Sequence, residues 1–150
     1  MQEVIKIYSQ AHPNIQLKAI PGHFVTPNSH VNYFLDMTTL KARLSEASMV
    51  ARELGRQVMI STVVDTIVCI DGCEIIGAFL AEELTRAGIY SRNAHKTIYI
   101  IAPEYSTSGQ MMFRDNYLSM VKDKNVLLLL ASATTGKTVT KAIHTLTYYG

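Results

Sequence analysis

Residues 126–138 read Val-Leu-Leu-Leu-Leu-Ala-Ser-Ala-Thr-Thr-Gly-Lys-Thr, and no other segment limits the possible folds so strongly. The run from Val126 to Leu130 is strand-sized, and a strand with no polar face must be covered on both sides. Small residues come next, and helical spacing resumes over residues 136–148. A buried strand, a tight loop and a helix in quick succession form half of a β-α-β unit. Such a helix start presents unsatisfied N–H groups and a partial positive charge. Gly136 lets the backbone come close to a ligand. Thr134, Thr135 and Thr138 add hydroxyls, and Lys137 adds a cation. Residues Ala133, Thr134, Thr135, Gly136, Lys137 and Thr138 together make a phosphate cradle. The plainer alternative is an N-capped turn, but three threonines, a glycine and a lysine exceed what a cap requires.

The rest of the chain supplies partners for that unit. Residues 2–11 predict a short helix stopped by His12-Pro13. Residues 16–20 lead to a turn at Pro21-Gly22, and residues 23–36 predict two short strands around Pro27-Asn28-Ser29. Leu40, Leu44, Ala47, Ala51 and Leu54 share one helical face, so residues 38–54 predict a helix with Gly55 as its C-cap. Residues 64–70 are a buried strand broken by Asp71-Gly72, and residues 73–87 a helix ending at Gly88. Residues 97–102 predict another strand covered on both faces, stopped by Pro103. Residues 103–115, with Ser106, Thr107, Ser108 and Gly109, predict a mobile loop. Strands alternating with helices imply an α/β fold with a doubly wound parallel sheet. Ligands bind at the C-terminal ends of such strands, here residues 71–74 and 131–138.

Composition narrows the class. A length of 150 residues suggests one domain, and 48% apolar residues exclude a disordered chain. The formal charge is +2 with no long Lys/Arg run, so there is no electrostatic case for nucleic acid. No apolar run approaches the roughly 18 residues that would span a bilayer. Two cysteines and no signal-like N-terminus predict a soluble cytoplasmic protein without a membrane partner. A chain with only 17% charged residues is also expected to self-associate, as a homodimer. Cys69 and Cys73 read as buried thiols rather than metal or redox ligands. His23 and His30 flank a turn, either as surface histidines or as ligands. Glu82-Glu83 reads as a solvated helix face, as do Lys122 and Lys124.

Two loop families fit residues 131–138. Ala131, Gly136, Lys137 and Thr138 match a relaxed Walker A pattern with Ala in place of the first Gly. A nucleotide triphosphatase needs further strands after that loop, which weighs against this reading. The segment more closely resembles the phosphoribosyl-pyrophosphate motif of type I phosphoribosyltransferases. Gly22-His-Phe24, Ser29 and Tyr33-Phe34-x-Asp36 are similar to the N-terminal hood of orotate phosphoribosyltransferases. Residues 64–72 resemble their pyrophosphate-loop unit, and residues 106–110 the end of their catalytic loop. The resemblance implies a hood over residues 1–36 and a core over 37–150. It implies a 5′-phosphate held by residues 133–138, with Asp71, Gly72 and Cys73 at the pyrophosphate. It implies Tyr33 and Phe34 as an aromatic face near the base, and a lid over residues 97–110. The activity implied is Mg²⁺-assisted transfer of phosphoribose from phosphoribosyl pyrophosphate to a nitrogenous base, in pyrimidine or nucleotide metabolism. A non-catalytic binder of phosphoribosyl pyrophosphate or a nucleotide is the alternative.

The chain departs from the family pattern at defined points. Anchored on residues 134–138, the two family acids fall at Leu130 and Ala131. Neither can hydrogen-bond the ribose or balance positive charge at its reacting carbon, an electrostatic loss of several kcal/mol by analogy with similar deletions. The basic cluster leading into the catalytic loop is replaced by Tyr99-Ile-Ile-Ala-Pro103-Glu104, leaving His95, Lys96 and Arg114 nearby. The hood lysine aligns with Pro27 or Asn28. The family continues with at least one further strand, so the chain is expected to be C-terminally incomplete.

Overall fold

The computed structural model describes residues 3–27, 29–58, 61–86 and 91–150. In chain order these form β1 (Ile5–Tyr8), β2 (Gln16–Val25), β3 (His30–Asp36), α1 (Thr38–Ala42), α2 (Leu44–Val58), β4 (Thr66–Cys69), α3 (Glu74–Thr85), β5 (Tyr99–Ile101), β6 (Glu104–Tyr105), β7 (Met111–Met112), α4 (Leu118–Val121), β8 (Val126–Leu129) and α5 (Lys137–Tyr149). The result is an α/β fold with one parallel sheet, ordered β5-β4-β8, and one antiparallel sheet, ordered β1-β2-β3. A two-stranded β6-β7 hairpin is separate. No helix among the described residues is long and apolar enough to cross a membrane.

Buried on all four of its residues, β4 lies at the centre of the parallel sheet. Successive strand side chains point to opposite faces, so β4 feeds two cores. Ile67 and Cys69 pack with Ala47 and Ala51 of α2 and Ile76, Leu80 and Leu84 of α3. Val68, with Ile70 just beyond the strand, packs with Met111, Phe113, Val121 of α4 and Ala142 of α5. Each fully buried aliphatic side chain contributes about 1.5–3 kcal/mol. The buried Thr66 hydroxyl is satisfied by the Met120 carbonyl.

Hydrogen bonds fix the entrances to the sheet. At the start of β4, Asp65 Oδ1 accepts from Lys96 Nζ at 2.7 Å, and its Oδ2 accepts from the Asn125 backbone N–H at 2.9 Å. One carboxylate thus joins the entrances of β4, β5 and β8. The fully buried Asn93 accepts from Val64 N at 2.7 Å and donates to the Thr62 carbonyl at 2.8 Å.

The antiparallel sheet corrects two sequence expectations. Residues 5–8 are a strand, not part of a helix, because Ile5, Lys6, Ile7 and Tyr8 pair with Ala19, Lys18, Leu17 and Gln16. The β-branched Ile-Lys-Ile alternation has a period of two, which suits a strand and not a helical face. Pro21-Gly22 does not end the strand. Pro21 stays paired with Tyr33 and the register shifts between Pro21 and Phe24, so a bulge at Gly22-His23 carries β2 on to Val25. The turn beyond Val25 falls where expected, with Thr26 N donating to the Ser29 carbonyl at 2.8 Å. Asn28 lies outside the described residues. A polar relay ties this sheet to the helices: Lys18 Nζ donates to Thr39 Oγ1, which donates to the buried Glu46 carboxylate at 3.1 Å.

The helices differ in detail too. The expected single helix over residues 38–54 is two, because Arg43 takes extended backbone with ψ 121°. Gly55 is no cap. It is buried inside α2, and a Cβ there would lie 3.2 Å from Glu83 Cβ of α3. The glycine permits close approach of the two helices. Glu83 is consequently no solvated residue: its side chain is 15% exposed and faces Arg52 and Arg86. Gly88, expected to end α3, lies outside the described residues. β5 is shorter than expected and forms the sheet edge, with Tyr99 and Ile100 exposed. Residues 103–115, expected to be loop, contain a short hairpin, since Glu104 pairs with Met112 and Tyr105 with Met111.

Two measurements probe this packing. A Cβ at Gly77 of α3 would meet Cys69 Sγ at 2.5 Å and Ile100 Cγ2 at 3.3 Å. Gly77→Ala should therefore cost about 1–3 kcal/mol by overpacking, read as a lower urea midpoint. The Asp65 carboxyl is held down to about 2 from an ordinary 3.8, first by the Lys96 hydrogen bond and then by Asn125. Its lowered value means a stabilisation present above the ordinary value and lost as pH falls toward the folded one. Asp65→Asn should be less stable at neutral pH and should lose less of its remaining stability on acidification, checked by urea titrations across the acid range.

Candidate functional site

Parallel pairing of β4 with β8 sets Cys69 opposite Leu129, and Ile70 N donates to the Leu129 carbonyl at 2.8 Å. The two strands therefore end side by side. β4 runs out into Ile70-Asp71-Gly72-Cys73, and β8 into the loop that ends at Gly136. Asp71 joins Ser132, Ala133, Thr134, Thr135, Gly136, Lys137, Thr138 and Val139 around one cavity of about 170 Å³.

The loop after β8 leaves donors free. Gly136 sits at the N-terminus of α5 with φ 77°, a conformation that glycine adopts without a steric penalty. No side chain caps the helix. Lys137 N donates to Thr135 Oγ1 at 3.4 Å, and the intrahelical ladder begins at Thr140 N to the Gly136 carbonyl. The Thr138 and Val139 N–H groups thus have no intrahelical acceptor, and the exposed Thr134 and Thr138 hydroxyls stand with them at the positive end of a 13-residue helix. An anion of phosphate size suits that environment.

The loop after β4 is strained in a way that exposes its backbone. Asp71 and Gly72 both have positive φ, 58° and 75°. Lys41 Nζ of α1 donates to the Asp71 carbonyl at 2.8 Å. Lys41 is thereby a cation beside this loop, and sequence reasoning missed it. Thirty positions separate the two residues, and no motif spacing links them. Gly72 and Asp71 border a second cavity with Glu74, Pro103 and Tyr105. Cys73 turns inward instead and is 1% exposed. Burial raises its thiol pKa, and burial pushes the neighbouring Cys69 up to about 12. Both cysteines are inert buried thiols, and Cys73 can serve the loop only through its backbone.

Other expected residues are distributed differently. Tyr33 and Phe34 are consecutive on β3, so they point to opposite faces and do not form one aromatic surface. Phe34 lies against Phe24 at 5.7 Å between ring centroids, and neither Tyr33 nor Phe34 lines the cavity at Asp71. Of the expected lid, residues 99–101 belong to the sheet. The hairpin tip is tied down, with Ser106 N donating to the Gln110 carbonyl at 2.9 Å and Lys141 Nζ of α5 donating to the Gly109 carbonyl. Lys141 also lies 6.0 Å from the Tyr105 ring centroid. Gln110 and Met111 border a wider cavity of about 460 Å³ with Lys141 and His144, which shares Thr135 and Lys137 with the first. Lys96 is engaged by Asp65, and Arg114 by Glu104.

Leu130 and Ala131, where the sequence resemblance leads one to expect two acids, join the apolar packing. Leu130 packs on the cluster around Val68 and Phe113, and Ala131 on the cluster around Ile67 and Leu80. Among the described residues no group of three His, Cys, Asp or Glu side chains is arranged to hold a metal ion. Asp71 supplies the one carboxylate lining the loop cavity among the described residues.

Comparison with known proteins gives one informative likeness. No family model matches the chain, and no curated protein matches it. Among solved structures, the chain is similar to orotate phosphoribosyltransferase of Mycobacterium tuberculosis H37Rv, determined in complex with Fe(III) dicitrate. The TM-score is 0.57 with 12% identity, covering 89% of this chain and 71% of that one. The likeness is one of fold. The chain has a phosphoribosyltransferase-like α/β architecture, with the loop after β8 beside the loop after β4.

Because Leu130 packs among apolar side chains, an acid there would be partly desolvated. Leu130→Glu should cost about 1–3 kcal/mol. Equilibrium unfolding in urea measures it, and an unchanged midpoint would show that the position is wet enough to carry a carboxylate.

Proposed function

We propose that the chain binds phosphoribosyl pyrophosphate through residues 133–138 and transfers its phosphoribose to a nitrogenous base. The observation that carries this reading is the single cavity in which Asp71 meets the uncapped start of α5. The first-turn N–H groups, the threonine hydroxyls and Lys137 would hold the 5′-phosphate. Asp71 and Gly72 would lie at the pyrophosphate, with Lys41 contributing positive charge from behind the loop. In transfer, the bond from the ribose carbon to pyrophosphate breaks and a bond to the base nitrogen forms. The protein's share is positioning and electrostatic stabilisation. Mg²⁺ favours one or two carboxylates plus phosphate oxygens, and Asp71 with a bound pyrophosphate fits that preference. The ion would neutralise charge on the departing pyrophosphate.

The antiparallel sheet would act as the hood of one domain with a doubly wound core, and Tyr33 or Phe34 would offer a ring to the base from one face of it. Exposed Ile5, Ile7 and Tyr8 on β1 support self-association as a homodimer. A second reading, a non-catalytic sensor of phosphoribosyl pyrophosphate or a nucleotide, is favoured by one specific observation. Leu130 and Ala131 are absorbed into the two cores, so no acid stands beneath the ribose position.

One experiment separates the readings. Protein, Mg²⁺, phosphoribosyl pyrophosphate and a panel of bases are combined, and pyrophosphate release is followed alongside calorimetric affinity. Release that depends on the base supports transfer; tight binding without release supports the sensor. Lys137→Ala and Thr135→Ala should each weaken binding by roughly tenfold, the loss of one charge-assisted hydrogen bond. Unchanged affinity in both would remove the cradle assignment.

A further inference from the structure

His23 of β2 and His30 of β3 stand apart from the loop site, and the geometry points to a two-imidazole site for a first-row transition-metal dication. The bulge in β2 brings them together. Phe24 pairs with Val31 and Pro21 with Tyr33, so Gly22 and His23 together oppose a single residue, Asn32. His30 pairs with Val25, which leaves His23 diagonal to it across the ladder. In this arrangement His23 Nε2 and His30 Nδ1 lie 3.0 Å apart, with ring centroids at 5.0 Å and planes inclined by 55°.

That separation matches a chelate bite. Two imidazole nitrogens, each about 2.1 Å from one ion, are about 3.0 Å apart at a right angle and about 3.4 Å apart at the tetrahedral angle. The metal-free pair is joined by one hydrogen bond, so one nitrogen carries a proton. Metal binding needs both lone pairs, reached when the donor ring moves its proton to its far nitrogen, where the acceptor ring already carries its own. Nothing opposes that change: among the described residues, no hydrogen bond holds His23 Nδ1 or His30 Nε2. Both side chains are exposed, so an ion would keep its remaining positions for water or a further ligand. Imidazole nitrogen ligands select copper, nickel and zinc over magnesium and calcium, and copper binds tightest in the series. The site is therefore distinct in chemistry from any magnesium carried by a phosphate ligand at Asp71.

The test uses the full chain without an affinity tag. Cu²⁺, Ni²⁺ and Zn²⁺ are each titrated calorimetrically near neutral pH, and the Cu²⁺ form is examined by electron paramagnetic resonance. One ion per chain is expected, Cu²⁺ tightest, with two nitrogen ligands in the copper spectrum. His23→Gln and His30→Gln should each lower the Cu²⁺ affinity roughly tenfold or more and leave one of those two nitrogens. Far-UV circular dichroism confirms that the variants fold. Affinity and spectrum unchanged in both variants would place the ion on other groups, such as His12, His95, His144 or the amino terminus, and would overturn the assignment. Absence of any binding at micromolar metal would overturn it as well.

Discussion

Everything in the parallel half of the molecule depends on β4. Its four buried residues divide between two apolar clusters, one beneath α2 and α3, the other beneath α4 and α5. Because β5 and β8 both pair with it in parallel, three strands deliver their chain ends to one edge of the sheet. The loop cavity is a product of that geometry. Asp71 meets residues 132–139 only because Cys69 and Leu129 are register partners. The Asp65 carboxylate, which binds Lys96 and Asn125 at the opposite edge, fixes the same register from the other end.

Much of this core was legible in the sequence, for a physical reason. Where a strand is covered on both faces or a helix on one, burial writes a period into the chain. Residues 66–69 and 126–129 and the helix at 74–85 fall within the segments that hydrophobic pattern and turn chemistry mark, and the helix at 137–149 lies one residue beyond its marked segment. The misreadings arise where tertiary contacts override local signals. Pro21-Gly22 looks like a turn, but cross-strand pairing on both flanks carries the strand through it as a bulge. Gly55 looks like a helix end, but its missing side chain is used sideways, against Glu83. Ile5 and Ile7 cannot reveal that they pair with β2, because their partners Ala19 and Leu17 lie well along the chain.

The loop site divides along the same line. The placement of residues 133–138 between a strand and a helix start was legible because the three are contiguous, so the sequence itself brings the groups together. Lys41 was not legible, since only the packing of α1 brings its ammonium to the Asp71 carbonyl. Tyr33 and Phe34 were legible as aromatic residues but not as a surface, since strand pleat sends neighbours to opposite faces. Leu130 and Ala131 are the most informative pair. Their side chains pack against opposite cores at the two positions where the sequence resemblance leads one to expect acids.

The bond between Lys141 and the Gly109 carbonyl has a mechanical meaning. α5 begins at the phosphate-sized loop and, one turn later, grips the tip of the β6-β7 hairpin. About one helical turn separates Lys137 from Lys141, so loop and hairpin tip are held by the same end of α5. The Lys141 side chain that donates to the Gly109 carbonyl also lines the cavity that Lys137 borders. The hairpin backbone thereby sets where one of the cations along that cavity wall is held.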